Sequence, residues 1–243
     1  MDVIKDKKED WRDNTYPFNL GAVQSWERLE LHQNVTFFVG ENGSGKSTLI
    51  EAIAIAAGFN PEGGSKNFNF STEDSHSTLS NHIRLSRAPK RNKDGYFLRA
   101  ESYFNVASHI NALDREPYGG APVIDSYGGV SLHEQSHGES FMSLLLHRFG
   151  GDGLYILDEP EPALSPQRQL SFLSRMHELI KQGSQFIIAT HSPILMAYPD
   201  AWIYELQENG PLRTEWENTE HVDITRQFLK HPDNFLRILL EDE

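Results

Sequence analysis

The chain has 243 residues, of which 38% are apolar, 23% charged and 11% aromatic, a composition that excludes collagen-like, coiled-coil and wholly disordered architectures. It contains no cysteine, so disulfides, thiolate metal sites and cysteine nucleophiles are ruled out and the cytosol is the expected location. The net charge of −13 disfavours a broad nucleic-acid-binding face, and no stretch approaches the roughly 20 apolar residues of a membrane helix.

Residues 1–15 open on a charged run and read as a frayed end. From Tyr16 the apolar residues come in bursts, Phe18/Leu20, Val23/Trp26, Leu29/Leu31 and Val35–Val39, which read as short strands. The last is fully buried, because Val-Thr-Phe-Phe-Val is β-branched and aromatic with no helical period. A glycine-rich turn and a helix over Thr48–Ala57, closed by Gly58, complete a first segment, 16–58. Residues 59–150 form an insertion and helical lobe: turn-rich around Pro61–Asn67 and Ser71–Thr78, with a strand at Tyr96–Ala100, a helical pattern to Leu113 and a Pro/Gly-rich linker over Glu116–Gly129. In 151–205 a strand (Leu154–Leu157), an amphipathic helix (Gln167–Lys181), a strand (Gln185–Thr190) and a short helix (Ile194–Tyr198) alternate. That is an α/β pattern with parallel central strands. Residues 206–243 read as an acidic tail; Ala201–Glu243 holds ten Asp/Glu against four Lys/Arg.

The turn at Gly40-Glu41-Asn42-Gly43-Ser44-Gly45-Lys46-Ser47 fits G-x-x-x-x-G-K-[ST] at every fixed position, directly between a strand and a helix. Its glycines let successive backbone N–H groups curl around phosphate oxygens, and the helix opening at Ser47-Thr48 aims its dipole at the same anion. Lys46 offers charge to the β- and γ-phosphates of ATP, and Ser47 a hydroxyl to Mg²⁺. About 110 residues later, an apolar strand ends in Asp158-Glu159. Adjacent strand-end residues point opposite ways, so Asp158 can serve the metal while Glu159 orients or deprotonates the attacking water.

The order Asp158-Glu-Pro160, Ala163-Leu164 and Ala189-Thr-His191-Ser-Pro193 behind that loop resembles the ABC-type ATPase heads, closest to stand-alone ATPases of the SMC, RecF and OLD group. The Asp-Glu-Pro-Glu and Thr-His-Ser-Pro forms are those of the non-transporter branch. The resemblance implies a P-loop fold with a mostly parallel core sheet flanked by helices, an N-terminal antiparallel β part and a loop-rich, helical insertion. It also implies that His191 contacts the γ-phosphate and that two copies of the chain dimerise around two ATP–Mg²⁺. Ser136-His-Gly138-Glu139-Ser140 takes the place of the signature motif, with Gln135 and His137 departing from it. Ser136-x-x-Glu139 also reads as a capping box opening a helix over Phe141–Arg148, and Ser165-Pro166 as an N-cap followed by a first helical residue. The family's Q-loop glutamine has no match after Tyr96–Ala100, where Glu101-Ser102 follows. Tyr16, Phe18 and Trp26 are candidates to stack on adenine, or core aromatics.

Arg84, Arg87, Lys90, Arg91, Lys93 and Arg99 are six of the 22 Lys/Arg, with Asp94 the only acid among them. They form either a solvated face or a contact for nucleic acid or an effector protein. The implied function is ATP hydrolysis by a bare motor or switch. The alternatives are a transporter ATPase subunit, an ATP-holding switch with little turnover, and a GTPase, which Asn92-Lys-Asp94 does not support because its spacing is wrong for guanine.

Overall fold

The computed structural model describes residues 1–6, 11, 15–66, 77–87, 92–99, 122–130 and 135–240. Its centre is a six-stranded sheet in the order β5-β6-β7-β3-β8-β9, formed by β3 (Val35–Val39), β5 (Asp94–Arg99), β6 (Gly153–Asp158), β7 (Gln185–Ala189), β8 (Trp202–Gln207) and β9 (Gly210–Thr214). All pairs are parallel except β8–β9. The central strands are buried on both faces, which explains their unbroken apolar runs. Phe37, Tyr155, Leu157, Phe186 and Ile188 point into one core with Phe172, Met176 and Leu179. Their neighbours Phe38, Leu154, Ile156 and Ile187 point into the other, with Leu49, Ile50 and Ile53. The helices follow the same logic: α1 (Lys46–Ala56) covers the second face and α3 (Pro166–Lys181) the first. Ser165 caps α3 with its side chain and Pro166 opens it, as the sequence predicts.

A second, three-stranded antiparallel sheet has the order β2-β1-β4, from β2 (Arg28–Glu30), β1 (Asp2–Lys5) and β4 (Ile83–Ser86). It is the expected antiparallel β part, but its middle strand is the segment expected to fray. Val3 is fully buried, worth about 1.5–3 kcal/mol. Lys5 is also buried: its Nζ donates to the Val23 carbonyl and lies 4.6 Å from the ring centroids of both Trp11 and Trp26. The bursts Phe18/Leu20 and Val23/Trp26 are not strands either. Residues 16–20 turn, and Gly21–Val23 forms one 3₁₀ turn that packs its buried Ala22 and Val23 inward.

Two further boundaries move. The strand in the insertion, β5, is an edge strand of the core sheet in register with β6, so the core reaches back beyond residue 151. The acidic tail folds: β9 is followed by α5 (Glu220–Lys230) and α6 (Pro232–Leu240). The proposed helix to Leu113, with Glu101 and Ser102, lies outside the described residues, as do Lys90 and Arg91.

The helix expected at Phe141–Arg148 begins earlier. α2 spans His137–Ser143 and ends in a π-helical turn over Leu144–Arg148. Asp94 fastens that turn to the sheet edge, accepting from Arg148 Nη1 (2.8 Å), the Tyr155 hydroxyl (2.8 Å) and the Gly150 N–H (3.0 Å). Burial alone would raise the Asp94 carboxyl, but Arg148 and the other donors outweigh it and hold the carboxyl below its ordinary value. A depressed folded value means that the unfolded chain binds more protons on acidification. The stability Asp94 contributes is therefore complete above the ordinary carboxylate range and lost as pH falls through its folded value. Asp94→Asn should cost about 2–3 kcal/mol at pH 7. In urea titrations the gap between the two proteins should narrow as pH falls through and below the ordinary carboxylate range; a gap that stays constant would show that Asp94 contributes nothing through its charge.

Candidate active site

The three central strands β6, β7 and β3 are neighbours, and their carboxyl ends bring the predicted residues together. In β7, Ala189 pairs with Asp158 on one side and Phe38 on the other. The loop Gly40–Gly45, the Asp158-Glu159 pair and Thr190-His191 therefore emerge side by side, where open α/β sheets bind ligands. Glycine is required within the loop. Gly45 has φ +95° and a Cβ there would stand 2.9 Å from that of Ala22, while at Gly40, φ +140°, it would stand 2.8 Å from the Leu206 carbonyl oxygen.

Lys46 is 4% exposed. Its Nζ donates to the carbonyls of Gly40 and Glu41, both at 2.9 Å, and so folds back along the loop. Burial lowers its pKa, opposed by the carboxylates of Glu159, Asp158, Glu161 and Glu41. Ser47 Oγ donates to Asp158 Oδ1 at 3.1 Å, joining the two motifs through residues 111 positions apart. Thr48 Oγ1 lies 3.3 Å from the Tyr16 hydroxyl. Tyr16 is 61% exposed. Phe18 instead packs edge-on against Trp11 and His82, and the Trp26 indole donates to the Ala22 carbonyl.

Glu159 has φ +48°, in the left-handed region, and its N–H donates to the Ala189 carbonyl at 3.0 Å. A non-glycine residue there costs on the order of 1 kcal/mol and is held by its surroundings. Its Oε1 lies 3.4 Å from His191 Nε2. Burial first, then the charge of Lys46, lowers the His191 pKa, so the imidazole is neutral near pH 7. Glu161, the second glutamate of the Asp-Glu-Pro-Glu run, has no role in the sequence reading. Its Oε1 accepts from the His191 N–H at 2.6 Å, its Oε2 is buried without a hydrogen-bond partner among the described residues, and burial pushes the carboxyl upward. The second glutamate of Asp-Glu-Pro-Glu was the available signal.

The turn Ser136–Glu139 packs beside a neighbouring loop. Glu139 Oε2 accepts from the N–H (3.0 Å) and hydroxyl (2.5 Å) of Ser136, completing the capping box. Its Oε1 lies 3.7 Å from Arg168. Gly138 is needed by contact alone, since a Cβ would meet the Ala163 carbonyl oxygen at 2.6 Å. Ser136, His137 and Glu139 are exposed. Several cations of the basic stretch are engaged within the chain. Arg99 pairs with the buried Glu51 of α1 at 2.7 Å, Lys93 with Asp152 at 3.3 Å, and Arg87 donates to the Ala56 carbonyl.

Residues 18–116 match the family model of an AAA domain, and residues 123–197 match one described as "AAA domain, putative AbiEii toxin, Type IV TA system". Both models describe AAA domains and together they take in most of the chain, which is a P-loop ATPase. The ATPase is 26% identical over 201 residues to the macrolide export ATP-binding/permease protein MacB of Hahella chejuensis (strain KCTC 2396). That match takes in 70% of this chain and 27% of the relative, so the ATPase spans about a quarter of MacB's length. Among solved structures it is similar to a dimeric bacterial ABC transporter cassette (14% identity, 79% of this chain and 90% of that one, TM-score 0.48). It is also similar to an Smc head bound to the C-winged helix domain of ScpA (13% identity, 77% and 92%, TM-score 0.45). Among the described residues no helix is long and apolar enough to cross a membrane.

Proposed function

We propose that the ATPase is the nucleotide-dependent head of a switch of the non-transporter branch, dimerising around two ATP and driving a partner. The observation that carries this reading is the Ser47–Asp158 hydrogen bond. It sets a hydroxyl and a carboxylate side by side at the mouth of the phosphate loop, a donor set that suits Mg²⁺, which takes one or two protein oxygens and leaves the rest to phosphate and water. Ser47 and Asp158 would hold the ion, which when bound neutralises charge on the β- and γ-phosphate oxygens.

The remaining roles follow from reach and charge. The backbone from Gly40 to Thr48 cradles the phosphates, and Lys46 turns from its loop carbonyls to the β/γ oxygens. Glu159 takes the proton of the attacking water, and neutral His191 donates Nε2–H to the γ-phosphate. Ser136, Gly138 and Glu139 cap the nucleotide of the partner subunit, a role supported by the exposure of Ser136 and Glu139 at a helix end whose Gly138 packs against Ala163 and Arg168. A second reading, a cassette that drives a membrane permease, is favoured by the similarity to MacB. The basic stretch Arg84–Arg99 is the face proposed to meet nucleic acid or an effector protein.

Mixing two inactive variants tests the composite site. Lys46→Ala spoils a subunit's own cradle and Ser136→Arg blocks the site its helix offers a partner. In a two-fold dimer the mixed species carries both lesions at one site and none at the other. Half of randomly mixed dimers are of this kind, so about a quarter of wild-type activity should return if the sites act independently. If labelled subunits exchange and the mixture stays as inactive as its components, the composite site is wrong.

A further inference from the structure

His191 has a contact that the reaction scheme does not use. Its Nδ1 lies 2.8 Å from Nε2 of His221, with ring centroids 4.9 Å apart and the planes inclined at 56°. His221 comes from α5, in the segment whose sequence reads as a tail. We propose that His221 is a positioning residue for His191: it donates its Nε2–H to His191 Nδ1, and so fixes the tautomer and ring orientation with which His191 presents Nε2–H to the γ-phosphate. The proposal rests on the reading of His191 given above.

The proton assignment follows from the groups around the pair. His191 Nε2 faces the carboxylate of Glu159 at 3.4 Å. A bare nitrogen there would set lone pair against lone pair, so the proton of neutral His191 belongs on Nε2. Nδ1 is then an acceptor and His221 must supply the donor. His221 agrees from its other side, because its Nδ1 is buried with no hydrogen-bond partner among the described residues. Were the proton on that nitrogen, a donor would be buried unpaired, whereas a bare acceptor there costs less. Both rings reach the same assignment independently. The remaining neighbours fit it: Lys46 adds positive charge that keeps His191 neutral, and Glu161 holds the His191 backbone N–H at 2.6 Å.

His221 is held firmly enough to orient a neighbour. Thr219, two positions before it, is fully buried, and Val222, next to it, is 3% exposed in the core. The Trp216 indole donates to the Pro193 carbonyl at 3.0 Å and the Glu220 N–H to Glu205 Oε1 at 3.1 Å, tying this turn to α4 (Pro193–Met196) and to β8. Beyond Val222, residues 223–234 and 236–240 are exposed. The C-terminal helices thus reach the reaction centre through a side chain at their anchored end.

The test compares His221→Phe, which keeps a ring without a donor, with His221→Gln, whose amide nitrogen reaches the Nε2 position. Two readouts are used on the full chain: steady-state hydrolysis of ATP–Mg²⁺, and side-chain ¹⁵N shifts of His191 without nucleotide. Phe should lower kcat about tenfold, the loss of one oriented hydrogen bond, with little change in KM. Gln should recover most of that loss. The ¹⁵N shifts should report the Nε2–H tautomer of His191 in the wild type and in Gln, and a gain of the Nδ1–H tautomer in Phe. If the Phe variant fails to fold, His221→Asn replaces it, since its amide reaches only the Nδ1 position and should be as slow as expected for Phe. Wild-type kcat and tautomer in the donor-less variant would overturn the proposal, and so would a Gln variant as impaired as Phe. His191→Ala separates the two readings: a slow His191→Ala beside an unaffected His221→Phe removes the role of His221 alone, whereas an unaffected His191→Ala removes the role of His191 beneath it.

Discussion

Glu159→Gln is expected to lower turnover by about 10²–10⁴ while ATP binding survives, because the amide keeps the size and hydrogen-bonding shape of the side chain and loses only the base. The surroundings of Glu159 make the substitution clean. The backbone conformation that aims it, φ +48° with the N–H bonded to the Ala189 carbonyl, is imposed by the end of β6 and tolerates Gln as well as Glu. The side chain is 35% exposed, so water can reach it, while the imidazole 3.4 Å away holds its direction. Single-turnover phosphate release and nucleotide affinity, measured together, check the result, and light scattering should show the variant accumulating as an ATP-bound dimer. Glu159→Gly extends the test, since glycine suits a positive φ. It should be at least as stable as the wild type and equally slow, separating the strain from the chemistry. Hydrolysis at the wild-type rate in both variants would mean that another group takes the proton.

The phosphate loop was legible in the sequence because its requirements are local: glycines for positive φ, a lysine and a hydroxyl in fixed succession between a strand and a helix. The acidic pair and His191 were legible for the same reason, each sitting at the end of an apolar run that could only be a buried strand. What escaped depends on contacts distant in the chain. Lys5 has the charge of a solvated end, and its burial is made tolerable by the Val23 carbonyl and the rings of Trp11 and Trp26. The charge count of residues 206–243 concealed the apolar residues of α5 and α6, among them Phe228, Leu229, Leu236 and Leu239, which follow the acids Glu220, Asp223 and Asp233 in the same helices. His221 carried no local signal at all, because its partner lies 30 positions away. Asp94 stood out as the one acid in a basic stretch, yet its purpose, fastening Arg148 and Gly150 beneath the helix that opens at Ser136, could be read only from the fold.

Removing the lysine charge from the phosphate loop should cut ATP affinity by about 10²–10⁴, the loss of charge-assisted contacts to two phosphates. Two substitutions are needed to read this correctly. Lys46→Ala deletes the charge but also empties the space of a side chain that is 4% exposed and leaves the carbonyls of Gly40 and Glu41 without their donor. Lys46→Met removes the same ammonium and its two donated bonds but keeps most of the volume. That ammonium sits where burial works against its charge, with nearby carboxylates compensating in part. The Met variant should therefore melt at or above the wild-type temperature while failing to bind ATP in calorimetry, the behaviour of a site that holds a charge for its ligand at some cost to the resting fold. The Ala variant should bind equally poorly and melt lower, because the vacated volume adds a structural loss that Met avoids. Wild-type affinity in Lys46→Met would remove the lysine from phosphate recognition, and a Met variant that melts as low as Ala would show that Lys46 supports the resting loop more than burial opposes it.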